Sequence, residues 1–285
     1  MSLYFDIIGA FGPQQPCFGI QATSEMRTVE YAKSISIESL AERYVGELMR
    51  FQPTGALTLV GWCAGAIIAL EMAQQLKKLG RKDILLANID GELFNTGSVI
   101  SRRNPIYHLR LLQNFPSWFI YNESGRNKLI KSFKARVLRA ISIGKNAPSD
   151  QKEISRERAL AIAAFGDVSA KMLASDEAEY RRNMYYHLIE ECRPRLPQGR
   201  QAFVGALYRA MFEYKPQPYS GRVVVYKAQV GALLYLYQVA SAWRAISSRA
   251  EIVTIRGAHH TTMIKDPAVT ELVKHLKERV REFRP

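Results

Sequence analysis

The sequence contains little cysteine, with three residues in 285, and these lie far apart along the chain. Cys17, Cys63 and Cys192 form no CxxC pair and are odd in number, which argues against a zinc site and a disulfide framework. There is no run of about 18 apolar residues, so no membrane-spanning helix is expected. The first residues lack the basic and apolar stretches of a secretory signal. These absences predict a cytoplasmic protein with no metal site, no cofactor and no membrane partner.

Positive charge is abundant and unevenly distributed. The formal net charge is +14, and residues 101–215 contain 21 Lys and Arg against 11 Asp and Glu, which gives +10 of that total. A basic surface favours an acidic partner, which can be nucleic acid, an anionic membrane or an acidic protein. The alternative is a set of solvated helices without a partner. No nucleic-acid-binding motif accompanies the charge, so no nucleic acid is expected.

The centre of the fold is indicated by a strand, a helix and a second strand in succession. Residues 56–60 form a short apolar run typical of a doubly buried strand. Apolar residues then recur with helical spacing over 67–79, and a second apolar run covers 84–89. This rhythm predicts parallel strands joined by a right-handed crossover.

The residues before this unit predict two helices and a strand. Residues 3–11 carry apolar side chains at i, i+3, i+4 and i+7, and Gly12-Pro13 ends that helix. The apolar run 17–21 is interpreted as a short buried strand. A second helix begins after Ser36, an N-cap residue with Ser39 in the position where a capping box usually has Glu.

The alternation of predicted strands and helices disappears after residue 91 and returns near residue 222. The intervening residues are basic, aromatic and helical in character, which indicates a helical cap inserted into the sheet. Further strands are predicted at 222–226 and 250–255, followed by a closing helix at 269–283. The predicted organisation has an N-terminal part of the core at 1–95, a basic cap at 96–213 and a C-terminal part of the core at 214–285.

The first strand runs directly into Gly61-Trp62-Cys63-Ala64-Gly65. This G-x-C-x-G has the layout of a nucleophile elbow, in which a nucleophile occupies a tight strand-to-helix turn between small residues. The helix N-terminus favours a thiolate and a developing oxyanion, and the N–H of Ala64 is one predicted oxyanion donor. The alternative for Cys63 is a small buried apolar side chain.

An acid and a histidine should follow the nucleophile in that order. Asp90 ends the second strand, and His259 and His260 follow the last one, so all would lie at the carboxyl edge of the sheet. Histidine would act as general base toward the Cys63 thiol and then as acid toward the leaving group. The alternatives are a turn-forming role for Asp90 beside Gly91 and surface positions for the histidines.

These residues resemble a known family. Residues 12–22, GPQQPCFGIQA, are similar to the "GPDQPVYGLQA" stretch of the thioesterase domains that end non-ribosomal peptide and polyketide synthases. Residues 36–44 resemble the family's next helix, and residues 61–76 are similar to its "GWSxGGxxAxEMAxQL" segment. Asp90 falls at the triad aspartate, and residues 260–269 resemble "HxTMLxxPxV", whose histidine is catalytic. Alignment with that pattern places the catalytic histidine at His260, which we favour, whereas the spacing from Gly257 places it at His259.

The resemblance covers roughly residues 4–95 and 214–283 and implies an α/β-hydrolase fold, a mostly parallel sheet with helices on both faces and an inserted cap. It implies a thioesterase that releases an acyl or peptidyl chain from the phosphopantetheine arm of a carrier protein, by hydrolysis, cyclisation or transfer. The catalytic residues would be Cys63, Asp90 and His260. Carrier proteins are typically acidic, which would explain the basic cap.

The sequence departs from the family in two ways. Cysteine replaces the usual serine, so the intermediate would be a second thioester. The family's strand before the first helix, with the loop that supplies a second oxyanion N–H, is not found in the sequence. Loss of one such donor costs about 100- to 1000-fold in rate. Either the chain is part of a longer protein that contains this strand, or residues 3–8 join the sheet, or the enzyme is degraded. The alternative function is a catalytically degraded carrier-protein binding module. A small-molecule esterase with the same triad is a third, less favoured function, because it does not explain the basic cap.

Overall fold

The structure, a computed structural model, describes residues 4–96, 105–121, 126–127, 130–131, 197–231 and 239–283. The chain forms two compact units, one of residues 1–114 and 196–285 and the other of residues 115–195. The helices of the described part are α1 Phe5–Phe11, α2 Val29–Ala32, α3 Ile37–Phe51, α4 Ala64–Lys78, α5 Pro105–Tyr121, α6 Gln198–Glu213, α7 Val239–Ile246 and α8 Ala268–Phe283. The strands are β1 Leu57–Trp62, β2 Ile84–Ile89, β3 Arg222–Val230 and β4 Ala250–His259.

The four strands form one parallel sheet in the order β1-β2-β3-β4. Every residue of β2 is buried, as expected for a strand in the middle of a sheet that helices cover. β1 pairs with β2 along one side, and no other strand of the described residues lies on its opposite side. The parallel pairing predicted from the strand–helix–strand rhythm is confirmed.

Local sequence explains where the helices begin and how they pack. Ser36 accepts the N–H of Ser39, and the Ser39 hydroxyl accepts the N–H of Ser36, so the predicted capping box forms at the start of α3. Helix α1 ends at Phe11 and is followed by Gly12, whose φ is 74°, so residues 5–11 are helical and do not join the sheet. Helix α1 buries Ile7 and Phe11 in the same apolar cluster as the inner face of α8.

Two sequence predictions about strands are wrong. Residues 17–21 form no strand, and the Phe18 side chain is 70% exposed, with its ring 4.5 Å from that of Phe51. The run follows Pro16, which has no N–H to donate, and a strand without a paired neighbour leaves its backbone unsatisfied. The last strand is also longer than predicted, since β4 continues to His259, which pairs with Val230 beyond a shift of register between β3 and β4.

The predicted cap falls largely on residues 97–104 and 132–196, which lie outside the described residues. Within it, α5 and α6 are helical. The domain boundaries at 95/96 and 213/214 stay a prediction. None of the helices in the described ranges combines enough length and apolar character to cross a membrane.

A buried polar network fastens α4 to the segment that leads into β3. The Tyr214 hydroxyl donates to Glu71 Oε2 over 2.7 Å, and Gln75 Nε2 donates to Glu71 Oε1 over 2.9 Å. Gln74 Nε2 donates to the Gln217 carbonyl over 2.6 Å. Burial, together with the Glu71 carboxylate, raises the pKa of Tyr214. The carboxylate of Glu71 is thus buried but paired, as a charge in the interior requires.

We expect Tyr214→Phe to lower the free energy of unfolding by about 1–3 kcal/mol, because the change leaves the buried Glu71 carboxylate without its shortest hydrogen bond. Urea unfolding measures this loss. Tyr219→Phe is the matched control, because the Tyr219 hydroxyl is buried without a hydrogen-bond partner among the described residues. Its removal should leave stability unchanged or raise it, because it relieves a buried polar group that has no hydrogen bond. Equal losses in both variants would contradict the role given to the network.

Candidate active site

Cys63 lies in the turn between β1 and α4. Its φ is 54° and its ψ is −122°, a left-handed conformation that residues with a side chain rarely adopt. Its N–H donates to the Ile89 carbonyl over 3.0 Å, so the turn remains attached to β2. A Cβ atom on Gly61 would overlap the backbone of Gly65 and Ala66. Only glycine at position 61 therefore allows strand and helix to approach this closely, as a nucleophile elbow requires.

Asp90 follows β2 directly and is also left-handed, with φ 50°. Its N–H donates to the Tyr226 carbonyl over 2.8 Å, and its Oδ1 accepts the N–H of Ala228 over 3.0 Å. Its Oδ2 lies 2.8 Å from His260 Nδ1. Both carboxylate oxygens are therefore used, one toward β3 and one toward the imidazole.

Asn88 positions the Asp90 turn, which sequence reasoning did not find. The fully buried Asn88 side chain accepts the N–H of Gly91 through Oδ1 over 2.9 Å. A Cβ on Gly91 would lie 2.5 Å from Ala66 Cβ and 2.7 Å from Asn88 Nδ2. The turn after β2 thus lies close against α4 at Gly91, the residue that follows Asp90. The signal in the sequence was a polar residue within the apolar run 84–89.

His260 lies in the turn after β4 and is held there by Trp62. Trp62 Nε1 donates to the His260 carbonyl over 3.1 Å, and the two rings stack with centroids 4.9 Å apart. With Nδ1 directed at Asp90, Nε2 is the ring nitrogen left to interact with Cys63. The Cys63 side chain lies close enough to the imidazole to contribute to the raised pKa of His260. The tryptophan was visible in the elbow motif, but nothing in the sequence indicated its contact with His260.

Burial lowers the pKa of His260, but hydrogen bonds with Asp90 and Cys63 and the negative charge on both outweigh burial and raise that pKa from 6.5 to about 10. The imidazole is therefore protonated near neutral pH, where it interacts with Asp90 and Cys63. Because the folded-state pKa is above the unfolded one, this interaction stabilises the fold fully below pH 6.5. The contribution is lost as the pH rises through about 10.

His259, the second choice from the sequence, lies in a different environment. Its Nδ1 is 3.1 Å from Thr261 Oγ1, and its N–H donates to Thr262 Oγ1 over 3.0 Å. Burial and the neighbouring His260 lower its pKa. The structure thus brings His260, and not His259, to Asp90. Of the two other cysteines, which have no elbow motif, Cys17 is exposed and Cys192 lies outside the described residues.

Ala64, the predicted oxyanion donor, is the first residue of α4. The N–H groups of a first helical turn have no partner within the helix, so that of Ala64 is available beside Cys63. No group of three His, Cys, Asp or Glu side chains in the described part of the chain is arranged to hold a metal ion. The arrangement is suited to nucleophilic attack on a carbonyl carbon, with histidine moving the proton.

Comparison with known families decides the class of protein. The family model described as "Thioesterase domain" matches residues 4–280. The chain belongs to the thioesterase domain family. The fold of this thioesterase domain is accordingly the α/β-hydrolase fold that the sequence resemblance implied.

The thioesterase domain is similar to short parts of large synthases. It is 33% identical over 87 residues to malpibaldin synthetase of Mortierella alpina, which is 30% of this chain and 2% of that protein. It is 36% identical over 81 residues to the non-reducing polyketide synthase curS2 of Aspergillus terreus, which is 28% of this chain and 4% of that protein. The chain therefore spans only a few per cent of the length of these curated relatives.

Solved structures share the fold. A four-domain nonribosomal peptide synthetase bound to AMP and glycine matches with a TM-score of 0.56 and 18% identity, over 98% of this chain and 18% of that one. RedJ thioesterase, from the prodiginine biosynthetic pathway in Streptomyces coelicolor, matches with a TM-score of 0.50 and 15% identity, over 97% and 84% of the two chains. At these identities the likeness concerns the fold.

We expect Gly61→Ala to destabilise the thioesterase domain by about 1–3 kcal/mol, because the new methyl group meets backbone that cannot rotate away. Urea unfolding gives the change. Gly46→Ala in α3 is the control, since a Cβ there meets nothing within 4 Å, and it should add about 0.5–1 kcal/mol of stability. A Gly61→Ala protein as stable as the wild type would contradict the described turn.

We expect Cys63→Ala to lower the pKa of His260, because the change removes the cysteine's hydrogen bond and charge and leaves only those of Asp90. NMR titration of the imidazole C–H signals measures this, with a wild-type midpoint of about 10. His259 is the internal control and should titrate below 6.5 in both proteins. An unchanged His260 midpoint would mean that the thiol and the imidazole do not interact.

Proposed function

We propose that this thioesterase domain releases an acyl or peptidyl chain from the phosphopantetheine thioester of a carrier protein through an acyl-enzyme on Cys63. The observation that carries the proposal is the series in which Asp90 Oδ2 lies 2.8 Å from His260 Nδ1 and His260 interacts in turn with the Cys63 thiol. Membership of the thioesterase family supports the reaction class.

Acylation begins with the thiolate of Cys63. Its sulfur attacks the thioester carbonyl carbon, a new C–S bond forms, and the carbonyl electron pair moves onto oxygen. The N–H of Ala64 stabilises that oxyanion. When the intermediate collapses, the bond to the pantetheine sulfur breaks, and the leaving thiolate takes the proton that the His260 imidazolium carries.

Acylation also prepares His260 for the second step. Once Cys63 is a neutral thioester, its negative charge no longer raises the pKa of His260, so the imidazole can stay neutral after giving up its proton. The neutral imidazole removes a proton from water as that water attacks the acyl carbon. Cys63 then leaves as a thiolate and the carboxylic acid is released, which restores the imidazolium–thiolate pair. Asp90 keeps Nδ1 protonated throughout.

A cysteine nucleophile widens the choice of acceptor. The acyl-enzyme is a thioester, which reacts with amines and hydroxyls more readily than the ester formed by serine. The same site would therefore support cyclisation onto an internal nucleophile or transfer to an external amine, in place of hydrolysis. Cys63 itself is suited to this role, since a thiolate is the better nucleophile near neutral pH.

The proposed partner is an acidic acyl or peptidyl carrier protein. Residues 101–215 carry +10 of the net charge of +14, and electrostatic attraction between oppositely charged surfaces speeds association. The large synthetases that share short stretches with this chain are consistent with a carrier protein as the source of substrate. We expect salt to weaken the encounter through screening.

A second candidate is a binding module that keeps the fold without catalysis. β1 lies at an edge of the described sheet, and Ala64 is the only oxyanion N–H that the sequence assigned there. Incubation with an acyl-pantetheine thioester followed by intact-mass measurement separates the two functions. A mass increase by the acyl group on Cys63 supports the enzyme. The absence of both an adduct and turnover supports the binding module. Faster turnover of a free ester than of a carrier-bound thioester would favour the small-molecule esterase.

We expect Cys63→Ala to lower turnover of a carrier-bound thioester at least about 1000-fold, because no nucleophile remains, and Cys63→Ser to leave a slower enzyme. Release of the free carrier thiol measures turnover. His260→Ala should cost far more than its matched control His259→Ala, because only His260 lies beside Asp90. Full activity in Cys63→Ala would exclude the proposed nucleophile, and the opposite order of the two histidines would move the base to His259.

A further inference from the structure

A cavity of about 320 Å³ lies at the edge of the sheet opposite to the nucleophile turn. Its walls include the amino ends of three neighbouring strands, since Ile84 begins β2, Arg222 begins β3 and Arg249 immediately precedes β4. The parallel register brings these ends together, because Arg222 lies opposite Leu85 and β4 starts opposite Val223. The length of β2, roughly 17–20 Å, separates this cavity from the active site.

Positive charge dominates the lining of this cavity. Four cations contribute to it, and the sole carboxylate among the described lining residues is that of Asp83, which leaves a formal charge of +3. The cations are Lys77 on α4, Lys82 before β2, Arg222 and Arg249. Within the described part of the chain none of these five side chains forms an ion pair. Cations that converge without a carboxylate partner repel one another, so the arrangement favours a negatively charged ligand.

Two of the four cations are held in place by neighbouring side chains. Lys77 Nζ donates to Ser220 Oγ over 2.6 Å and lies 5.6 Å from the centre of the Tyr219 ring. The Arg222 guanidinium lies 5.6 Å from the centre of the Phe283 ring. An aromatic face attracts a cation without using its hydrogen-bond donors, so both side chains remain able to bind an anion.

Gly221, which also lines the cavity, makes room for the Tyr219 ring. A Cβ atom at position 221 would overlap the end of that ring. Tyr219 is buried, and its N–H donates to the Ile246 carbonyl over 2.7 Å, so its backbone is fixed as well. The aromatic ring beneath Lys77 is thus positioned by the interior of the protein, which orients this cation before any ligand arrives.

The charge and the donors of the lining decide which anion fits. A monocarboxylate carries one negative charge and would leave most of the +3 uncompensated. A phosphate monoester carries about −1.5 to −2 at pH 7, and a diphosphate carries more. Arginine binds two phosphate oxygens at once through its planar guanidinium, whereas lysine contributes a point charge. Two arginines and two lysines therefore match a phosphorylated molecule better than a carboxylate. The volume of the cavity is in the range of small-molecule sites.

We propose that this cavity binds the phosphate groups of a small phosphorylated molecule, with a diphosphate as the preferred form. Arg222 and Arg249 bind the phosphate oxygens, and Lys77 and Lys82 supply the remaining positive charge. The site lies at the amino edge of the sheet and does not depend on the proposed function of Cys63. Inorganic pyrophosphate and a nucleoside diphosphate both carry the group that the lining recognises.

The test is a titration of ¹⁵N-labelled protein with sodium pyrophosphate, followed through amide chemical shifts at constant ionic strength. We expect saturable shifts at Ile84 and Gly221 in the cavity wall and no comparable shifts at Gly61 and Gly91 at the other edge of the sheet. Sodium acetate is the monocarboxylate reference and should give no saturable shifts. Tighter binding of ADP than of pyrophosphate would assign the site to a nucleoside diphosphate, and the reverse order would assign it to inorganic diphosphate.

We expect Arg222→Gln and Arg249→Gln each to weaken pyrophosphate binding about tenfold or more, because each change removes charge-assisted hydrogen bonds to phosphate. Arg256→Gln is the matched control, since it removes the same charge from an exposed arginine of β4 that does not line the cavity. Its Kd should stay within about twofold of the wild-type value, because solvent and salt screen distant charges. The amide spectrum of each variant reports whether it folds, so either arginine variant can carry the test.

Three outcomes would overturn the inference. Shifts that grow linearly with pyrophosphate, or that saturate only outside the cavity, would show that the basic protein attracts anions without a defined site. Equal affinities of Arg222→Gln, Arg249→Gln and Arg256→Gln would show that the cavity arginines do not bind the phosphate. Acetate binding as tight as that of pyrophosphate would refute the assignment to phosphate.

Discussion

The backbone hydrogen bonds at the carboxyl ends of the parallel strands support everything else in the site. Cys63 donates its N–H to the Ile89 carbonyl on β2, and Asp90 donates its N–H to the Tyr226 carbonyl on β3. Cys63 and Asp90 are therefore each attached to the next strand of the sheet, and the distance between them is set by strand spacing. Only the histidine comes from a turn beyond the ladder, and there Trp62 and Asp90 fix its position.

The cost of this arrangement is local strain. Cys63 and Asp90 both have positive φ, which costs about 1–3 kcal/mol at each residue. Close packing keeps them there, since Gly61 and Gly91 each lie where a methyl group would meet α4. The strained turns and the close packing together hold the side chains of Cys63 and Asp90 at the carboxyl edge of the sheet. The N-terminus of α4, which carries partial positive charge, lies at the same edge.

The sequence predicted the parts in which local pattern and final structure agree. The elbow between two apolar runs, the capping box at Ser36 and the acid after β2 follow from periodicity and small residues. The strand at 17–21 was wrong because an apolar run alone does not reveal whether a partner strand exists. The contacts of Trp62 and Asn88 were missed for a related reason. Each depends on residues distant in the chain, and neither spacing nor propensity encodes such a pairing.

The anchoring of Cys63 and Asp90 on neighbouring strands has a consequence for thermal inactivation. Local opening of loops ordinarily disables an enzyme well before its core melts, since loops have the lowest opening free energies. Here the amide hydrogens of the two residues belong to the central hydrogen-bonded layer, so they should exchange with solvent as slowly as those of β2. The geometry of this pair would then survive until the sheet itself separates, and loss of catalytic competence before that point would begin at the His260 turn.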